Sequence, residues 1–257
     1  MQSITRTIRA SRGIGEALAR KFVENGSSVI AIGRRKENLE RLVNEYGNDK
    51  VSAVPFDISN LAAIPSFCKS IIDSHPDLDY ILFNSGIQRK ADFSDPDSID
   101  MSVISEEFTI NYLSYLAITK GFLPLFLGKK GEAGLCYVTS ALALVPLPPR
   151  SNYCASKAAL HQWIISLRYQ LAESRVKVYE LLPPAVQTEL HDAKHQPDIK
   201  NGRNFGMPLD QFTEQAYAGL AAKKESVPIG TSKSQFEALE PLREKLFRNF
   251  MNATKPK

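Results

Sequence analysis

A doubly wound α/β fold, with a parallel sheet flanked by helices on both faces in a single domain over 1–257, is predicted for this chain of 257 residues. Three observations predict it. Short β-branched or apolar runs recur along the chain, and longer stretches with helical periodicity lie between them. The runs are apolar throughout rather than alternating, which is the pattern of strands buried on both faces. Right-handed crossovers then wind such strands and helices into one sheet covered on both sides.

The strands are expected at 29–32, 51–54, 80–83, 135–138, 176–182 and 227–229. Helix 15–24 carries Leu18, Phe22 and Val23 on one side, and helix 37–46 carries Leu39, Leu42 and Val43. Helices follow at 64–72 and 107–127, the latter expected to bend near Pro124. The best single helix is 153–172, with Leu160, Trp163, Ile164, Leu167 and Leu171 on its apolar face. Residues 191–209 are polar, with Pro197, Gly202 and Gly206, and read as a mobile excursion covering a pocket; the lid is set at 190–210.

Composition excludes several classes. The chain is 43% hydrophobic and 23% charged, ordinary for a soluble domain. The net charge of +4 is mild and spread along the chain, which argues against a nucleic-acid surface. Cys68, Cys136 and Cys154 have neither metal-ligand nor paired spacing, so reduced, mostly buried thiols are expected. Residues 1–8 do not resemble a signal peptide, the apolar stretches fall short of the ~20 residues of a membrane span, and the C-terminal Lys-Pro-Lys is not a peroxisomal signal. A cytoplasmic protein without a membrane partner is expected.

Chemistry concentrates around Tyr153 and Lys157, four residues apart, with Ser140 thirteen residues before the tyrosine. On a helix, positions i and i+4 stack on one face, roughly 6 Å apart. An ammonium held there favours the phenolate and pulls the tyrosine pKa down from about 10. A lone Tyr-x-x-x-Lys is common by chance and usually marks a solvated helix face. Its weight comes from its company.

That company is Ser-Arg-Gly-Ile-Gly-Glu-Ala-Leu-Ala at 11–19, Phe-Asn-Ser-Gly at 83–86, Asn111, Ser140, Tyr153 and Lys157. Together, in order and spacing, they resemble a single-domain short-chain dehydrogenase/reductase of the Rossmann type over nearly the whole chain. The resemblance implies hydride transfer between NAD(P) and an alcohol or carbonyl carbon. It implies Tyr153 as general acid/base, and Lys157 as the residue that lowers its pKa and binds the nicotinamide ribose. Ser140 would orient the substrate oxygen, and Asn111 would help anchor a proton-relay water. It also implies coenzyme contacts from Gly13, Ile14 and Gly15, from Asn84 and Gly86, from Asn111, Tyr153 and Lys157, from Val186 and Thr188, and from Asp57 and Ile58 at the adenine. Look-alikes commonly pair through the helices of Asn111 and Tyr153 into homodimers or homotetramers.

Coenzyme choice is argued from charge. An NAD-preferring fold places an acid after its second strand to accept from the ribose 2′-hydroxyl. Here Gly33 occupies that place, Arg34 and Arg35 follow, and Arg12 precedes Gly13. Guanidinium forks suit a 2′-phosphate, so NADP(H) is expected. The alternative is that Arg34 and Arg35 merely face solvent at a helix start.

The N-terminus breaks the pattern. Ile8 and Arg9 stand where the family's Thr and first Gly belong, and Arg6 lies within what should be a central apolar strand. A buried unpaired charge there would cost several kcal/mol. Either the start of the sequence is mis-assigned or the phosphate site has decayed, and weak coenzyme binding is expected for the chain as written.

The stretch after Ser140, Ala-Leu-Ala-Leu-Val-Pro-Leu-Pro-Pro, suggests a small to medium, mostly apolar carbonyl or secondary-alcohol substrate. His191 and His195 are spaced as metal ligands can be, but no third ligand accompanies them, so solvated lid histidines are expected and no metal. The competing reading is a non-catalytic dinucleotide-fold protein with an impaired phosphate loop. A same-fold epimerase or dehydratase is disfavoured by the chain length.

Overall fold

The computed structural model describes residues 12–194 and 196–254, together with the backbone of 5–9. Seven parallel strands form one sheet in the order β3-β2-β1-β4-β5-β6-β7: Thr5–Arg9, Ser28–Gly33, Val51–Pro55, Tyr80–Phe83, Ala133–Val138, Val176–Leu182 and Ser226–Pro228 in chain order. The order reverses beside β1, and the carboxyl ends of the strands flanking that switch point frame the crevice where ligands bind in this architecture.

The strands are buried on both faces, as their unbroken apolar runs require. On β2, Ile30 and Ile32 enter one core while Val29 and Ala31 enter the other. The same two-residue alternation splits Leu135 and Tyr137 from Cys136 and Val138 on β5. Helices α1 (Gly13–Glu24), α2 (Lys36–Tyr46) and α7 (Leu209–Ala221) cover one face. Helices α3 (Ile64–Ser74), α4 (Met101–Phe108), α5 (Ser114–Leu127) and α6 (Ser151–Gln170) lie on the other. Phe122 and Phe126 of α5 are fully buried there, and burial of each such ring contributes roughly 1.5–3 kcal/mol. Helix α8 (Ser232–Ala253) packs beside β7 and α6.

Three expectations are corrected. Helices α7 and α8 add to the elements read from sequence, and the second continues through Pro241. The expected helix 107–127 begins at Met101, and its irregularity is a π-helical segment, Thr109–Leu113; Pro124 lies inside α5. The run Met101–Leu127 is, among the described residues, long and apolar enough to cross a membrane by length and composition, contrary to the expectation of none. Its Ile110, Tyr115, Ile118, Phe122 and Phe126 are buried in the core, whereas Met101, Leu113 and Leu127 are exposed. Residues 191–209 meet the rest of the protein at several points. Val186 bridges Met207, Gln187 Nε2 donates to the carbonyls of Asn204 and Gly206, and Arg150 holds Gln196 and Asp198.

The N-terminal segment takes the central place despite its composition. β1 pairs with β2 from Thr5↔Ser28 to Arg9↔Ile32, and with β4 at Arg6↔Tyr80 through Ile8↔Leu82. Residues 1–4, 10, 11, 195 and 255–257, and the side chains of 5–9, lie outside the description. The readings that concern the Arg6 and Arg9 side chains, the first phosphate-loop residues, His195 and the C-terminal tripeptide fall on them.

Candidate active site

Strand β5 delivers Ser140 to the crevice. The chain leaves the sheet at Val138, and Ser140, in extended conformation, caps the short turn Ala141–Ala143 by accepting from the Leu142 amide at 3.1 Å. Helix α6 then brings Tyr153 and Lys157 to the same wall, one turn apart on its inward face. Both are buried. The Ser140 and Tyr153 side chains line the same part of the crevice, and the serine hydroxyl acts to lower the phenol's pKa. Lys157 Nζ donates to the Val138 carbonyl at 2.8 Å and lies 5.8 Å from the Tyr153 ring centroid.

The electrostatics correct one expectation. Burial pushes the Tyr153 phenol well above its ordinary value, and the Ser140 hydroxyl only partly opposes this. Burial also pushes Lys157 down to about 7, against the pull of Glu107 and Glu180. The lysine does not depress the tyrosine in this geometry. Its ammonium is turned to a backbone carbonyl, and near neutral pH it is charged only part of the time. The ligand-free site therefore holds a neutral phenol, a proton donor rather than a phenolate.

Asn111 sits in the π segment and is completely buried. Its Nδ2 donates to the Ile87 carbonyl and to Ser156 Oγ, both at 3.0 Å, and its Oδ1 accepts from the Ile87 amide at 3.0 Å. A π-bulge widens the helix locally and often marks a functional position. Here it turns a side-chain amide toward the loop after β4. Asn111 thus lies behind the crevice wall and holds that wall together.

One cleft of about 1270 Å³ runs along the carboxyl ends of the strands. Of the expected residues, Arg12, Gly13, Ile14, Arg34, Asn84, Gly86, Ser140, Tyr153, Lys157, Val186 and Thr188 line it. Gly15, Asp57, Ile58 and Asn111 do not. Gly15 is buried within α1. The Asp57 carboxylate accepts from the amide and hydroxyl of Ser59 and lies 3.7 Å from Arg34. Ile58 is 5% exposed and packs into the core.

The glycines mark close approaches. Gly13 has φ +57°, a region side-chain-bearing residues rarely adopt, and a Cβ there would stand 3.4 Å from Thr188. A Cβ on Gly86 would stand 3.7 Å from Lys157 Nζ, in the space in front of the lysine.

Several residues escaped the sequence reading. Glu107, 1% exposed, accepts from the Arg89 amide at 3.0 Å and from Asn152 Nδ2 at 2.5 Å, and burial raises its pKa. Its place one turn before Asn111 was the available signal. Arg150, 2% exposed, lines the cleft and holds Gln196 at 3.1 Å and Asp198 at 2.6 Å. Glu189 receives both Arg12 and Arg35. His191, expected to be solvated, is buried edge-on to Phe205, and burial lowers its pKa. Among the described residues no group of three or more His, Cys, Asp and Glu side chains is placed to hold a metal.

A family model described as short chain dehydrogenase matches residues 7–198. The chain belongs to the short-chain dehydrogenase family. It is 30% identical over 218 residues to the uncharacterized oxidoreductase DltE of Bacillus subtilis, covering 84% of each chain. It is 31% identical over 187 residues to a dehydrogenase/reductase SDR family protein 7-like of Drosophila melanogaster, covering 70% of this chain but 56% of that one. The NADP-dependent 3-hydroxy acid dehydrogenase of Schizosaccharomyces pombe is 29% identical, with coverage of 86% and 87%. Among solved structures, a Sphingobium yanoikuyae short-chain dehydrogenase in complex with NADPH superposes with TM-score 0.81 at 21% identity over 95% of each chain. A Burkholderia phymatum short chain dehydrogenase/reductase in complex with NAD superposes with TM-score 0.80 at 18% identity, covering 99% and 98%. These likenesses carry the fold of this short-chain dehydrogenase.

The residues of this short-chain dehydrogenase fit a dinucleotide. The Arg12 and Arg35 guanidiniums already converge on a carboxylate at one end of the cleft. At the other end, Gly86 leaves open the space in front of Lys157. A ribose hydroxyl is of a size and polarity to fit there.

Proposed function

We propose that this chain is an NADP(H)-dependent oxidoreductase acting on a carbonyl or secondary alcohol of a small to medium, mostly apolar substrate. The observation that carries the reading is the convergence of Ser140, Tyr153 and Lys157 on one cleft of about 1270 Å³, with Lys157 Nζ 5.8 Å from the Tyr153 ring centroid. When bound, the coenzyme supplies or accepts the hydride. Arg12, Arg34 and Arg35 would hold its adenosine phosphate end, Asn84 and Gly86 its middle, and Lys157 with Thr188 its nicotinamide half.

The rest of the chemistry is the protein's own. Ser140 holds the substrate oxygen beside the Tyr153 hydroxyl. In the reducing direction Tyr153 passes its proton to that oxygen as the carbon takes up hydride. In the oxidising direction the same oxygen returns the proton. Burial keeps Tyr153 protonated in the ligand-free site, and efficient donation near neutral pH calls for the bound coenzyme and substrate to bring its pKa back toward the operating pH. Leu142 and Leu147 give the pocket apolar contacts close to the reacting carbon. The arginines support NADP(H) over NAD(H), as do the NADP-dependent 3-hydroxy acid dehydrogenase and the NADPH complex among its relatives.

A second reading, a dinucleotide-fold protein that binds coenzyme weakly and turns nothing over, is favoured by Arg9 at the position of the family's first glycine. Titration of the purified chain with NADPH, followed by Trp163 emission, separates the two. Saturable binding with turnover on a carbonyl panel supports the enzyme. Absence of both selects the second reading.

A further inference from the structure

Glu189 is the first residue of the short turn Glu189–His191, at the point where the lid departs from Thr188. One of its carboxylate oxygens, Oε2, meets two guanidiniums from two separate elements: Arg12, which precedes the first turn of α1, and Arg35 at 3.3 Å, which precedes the first turn of α2. The side chains are 30% to 44% exposed and all three residues line the cleft. An anion held by the protein itself therefore occupies the place where two arginines converge beside two helix N-termini.

We infer that Glu189 is a coenzyme-discriminating residue: its carboxylate competes with the 2′-phosphate of NADP(H) for Arg12 and Arg35, and so links that phosphate to the lid. The inference rests on the NADP(H) reading above. A phosphate monoester carries close to two negative charges and three acceptor oxygens at neutral pH. It outcompetes a single carboxylate for guanidinium forks, yet the two anions cannot share the same pair without repulsion. A coenzyme lacking the phosphate leaves the ion pairs in place. Glu189 thus lowers NADP(H) affinity without touching NAD(H) affinity.

The turn that carries Glu189 is wired to the far end of the cleft. Gln196 Nε2 donates to the Leu190 carbonyl at 2.7 Å, and Gln196 Oε1 accepts from Arg150 Nε at 3.1 Å. Displacing the Glu189 side chain therefore loosens the first turn of a lid whose other anchor lies close to Tyr153. The coupling is reciprocal: whatever frees the lid strengthens phosphate binding.

The test compares the full-length chain with Glu189→Gln and with Arg35→Ala/Glu189→Gln by titration calorimetry, using NADPH, NADH, adenosine 2′,5′-bisphosphate and adenosine 5′-monophosphate. Glu189→Gln is expected to tighten NADPH and the bisphosphate by about tenfold and to leave NADH and the monophosphate unchanged. In the double variant the gain shrinks, because one of the two contested guanidiniums is gone. Amide hydrogen exchange across residues 189–192 rises when the bisphosphate binds the native chain. Equal tightening of NADPH and NADH, or no tightening of either, overturns the inference, and unchanged exchange overturns its link to the lid. If the native chain and Glu189→Gln both bind the bisphosphate no better than the monophosphate, the NADP(H) reading itself falls and this inference with it. If the native chain prefers the bisphosphate but Glu189→Gln adds nothing, only the role of Glu189 is lost.

Discussion

Asn111 Nδ2 stands 3.0 Å from Ser156 Oγ, and that hydroxyl donates to the Tyr153 carbonyl at 2.7 Å. The π segment of one helix is thereby bolted to the first turns of another at the residue expected to move the proton. The same Asn111 amide holds both backbone groups of Ile87, next to the Gly86 opening.

Asn111→Ala should strand the Ile87 amide and carbonyl inside the protein. Each unsatisfied buried group costs about 1–3 kcal/mol, so a loss of about 2–4 kcal/mol in denaturant unfolding is expected. Asn111→Asp keeps the acceptor for the Ile87 amide but sets a carboxyl oxygen against the Ile87 carbonyl in a fully buried place, so it should lose at least as much stability and also lower turnover.

Gly86→Ala should leave stability nearly unchanged, because the added methyl meets Asn111 and Lys157 at ordinary contact distances of 3.6 and 3.7 Å. It occupies the space in front of the lysine. Coenzyme affinity should fall at least several-fold while the melting temperature holds, as checked by NADPH titration beside a thermal scan.

Replacing Ile8 and Arg9 by Thr and Gly should tighten NADPH, since glycine permits the tight turn and the close backbone approach that a phosphate requires. An unchanged dissociation constant would count against the sequence-based account of the N-terminal break.

Stability should depend on pH through two buried groups that act in opposite senses. His161, between Glu180 at 2.8 Å and Glu240 at 3.3 Å, is opposed by burial yet carried up by both partners to about 9. Its folded pKa exceeds the unfolded value, so its contribution is full below about 6.5 and is lost as pH rises through about 9. Lys157, driven down by burial to about 7, works the other way: the unfolded chain holds the proton between about 7 and 10.5, so stability from this group rises over that window. His161→Gln should abolish the alkaline fall and Lys157→Met the alkaline rise. Urea midpoints of the three proteins between pH 6 and 10 check both signs.

Much of the fold was legible because buried strands and periodic helices leave local signatures. The strands at 29–32, 80–83 and 135–138 lie within β2, β4 and β5. Helix α8 hid because it buries little apart from Ser232 and Glu240 and carries Pro241, so its pattern is weak and interrupted. The side chains of Ser140, Tyr153 and Lys157 line one cleft, a convergence that family spacing implied. The phenol's raised pKa was not legible, since the i,i+4 rule gives proximity but neither depth nor the turn of Lys157 Nζ toward Val138. The partners of Arg12 and Arg35 were invisible for another reason. Glu189 lies more than 150 positions away in sequence, and only the fold brings them together.

The most direct measurement is single-turnover reduction of a carbonyl substrate by Tyr153→Phe preloaded with NADPH, beside the native chain. Removing one hydroxyl from a buried ring should leave the fold and coenzyme binding in place while hydride transfer falls by at least about a hundredfold, the scale of a lost general acid. Transfer at the native rate would contradict the assignment of the proton to this residue.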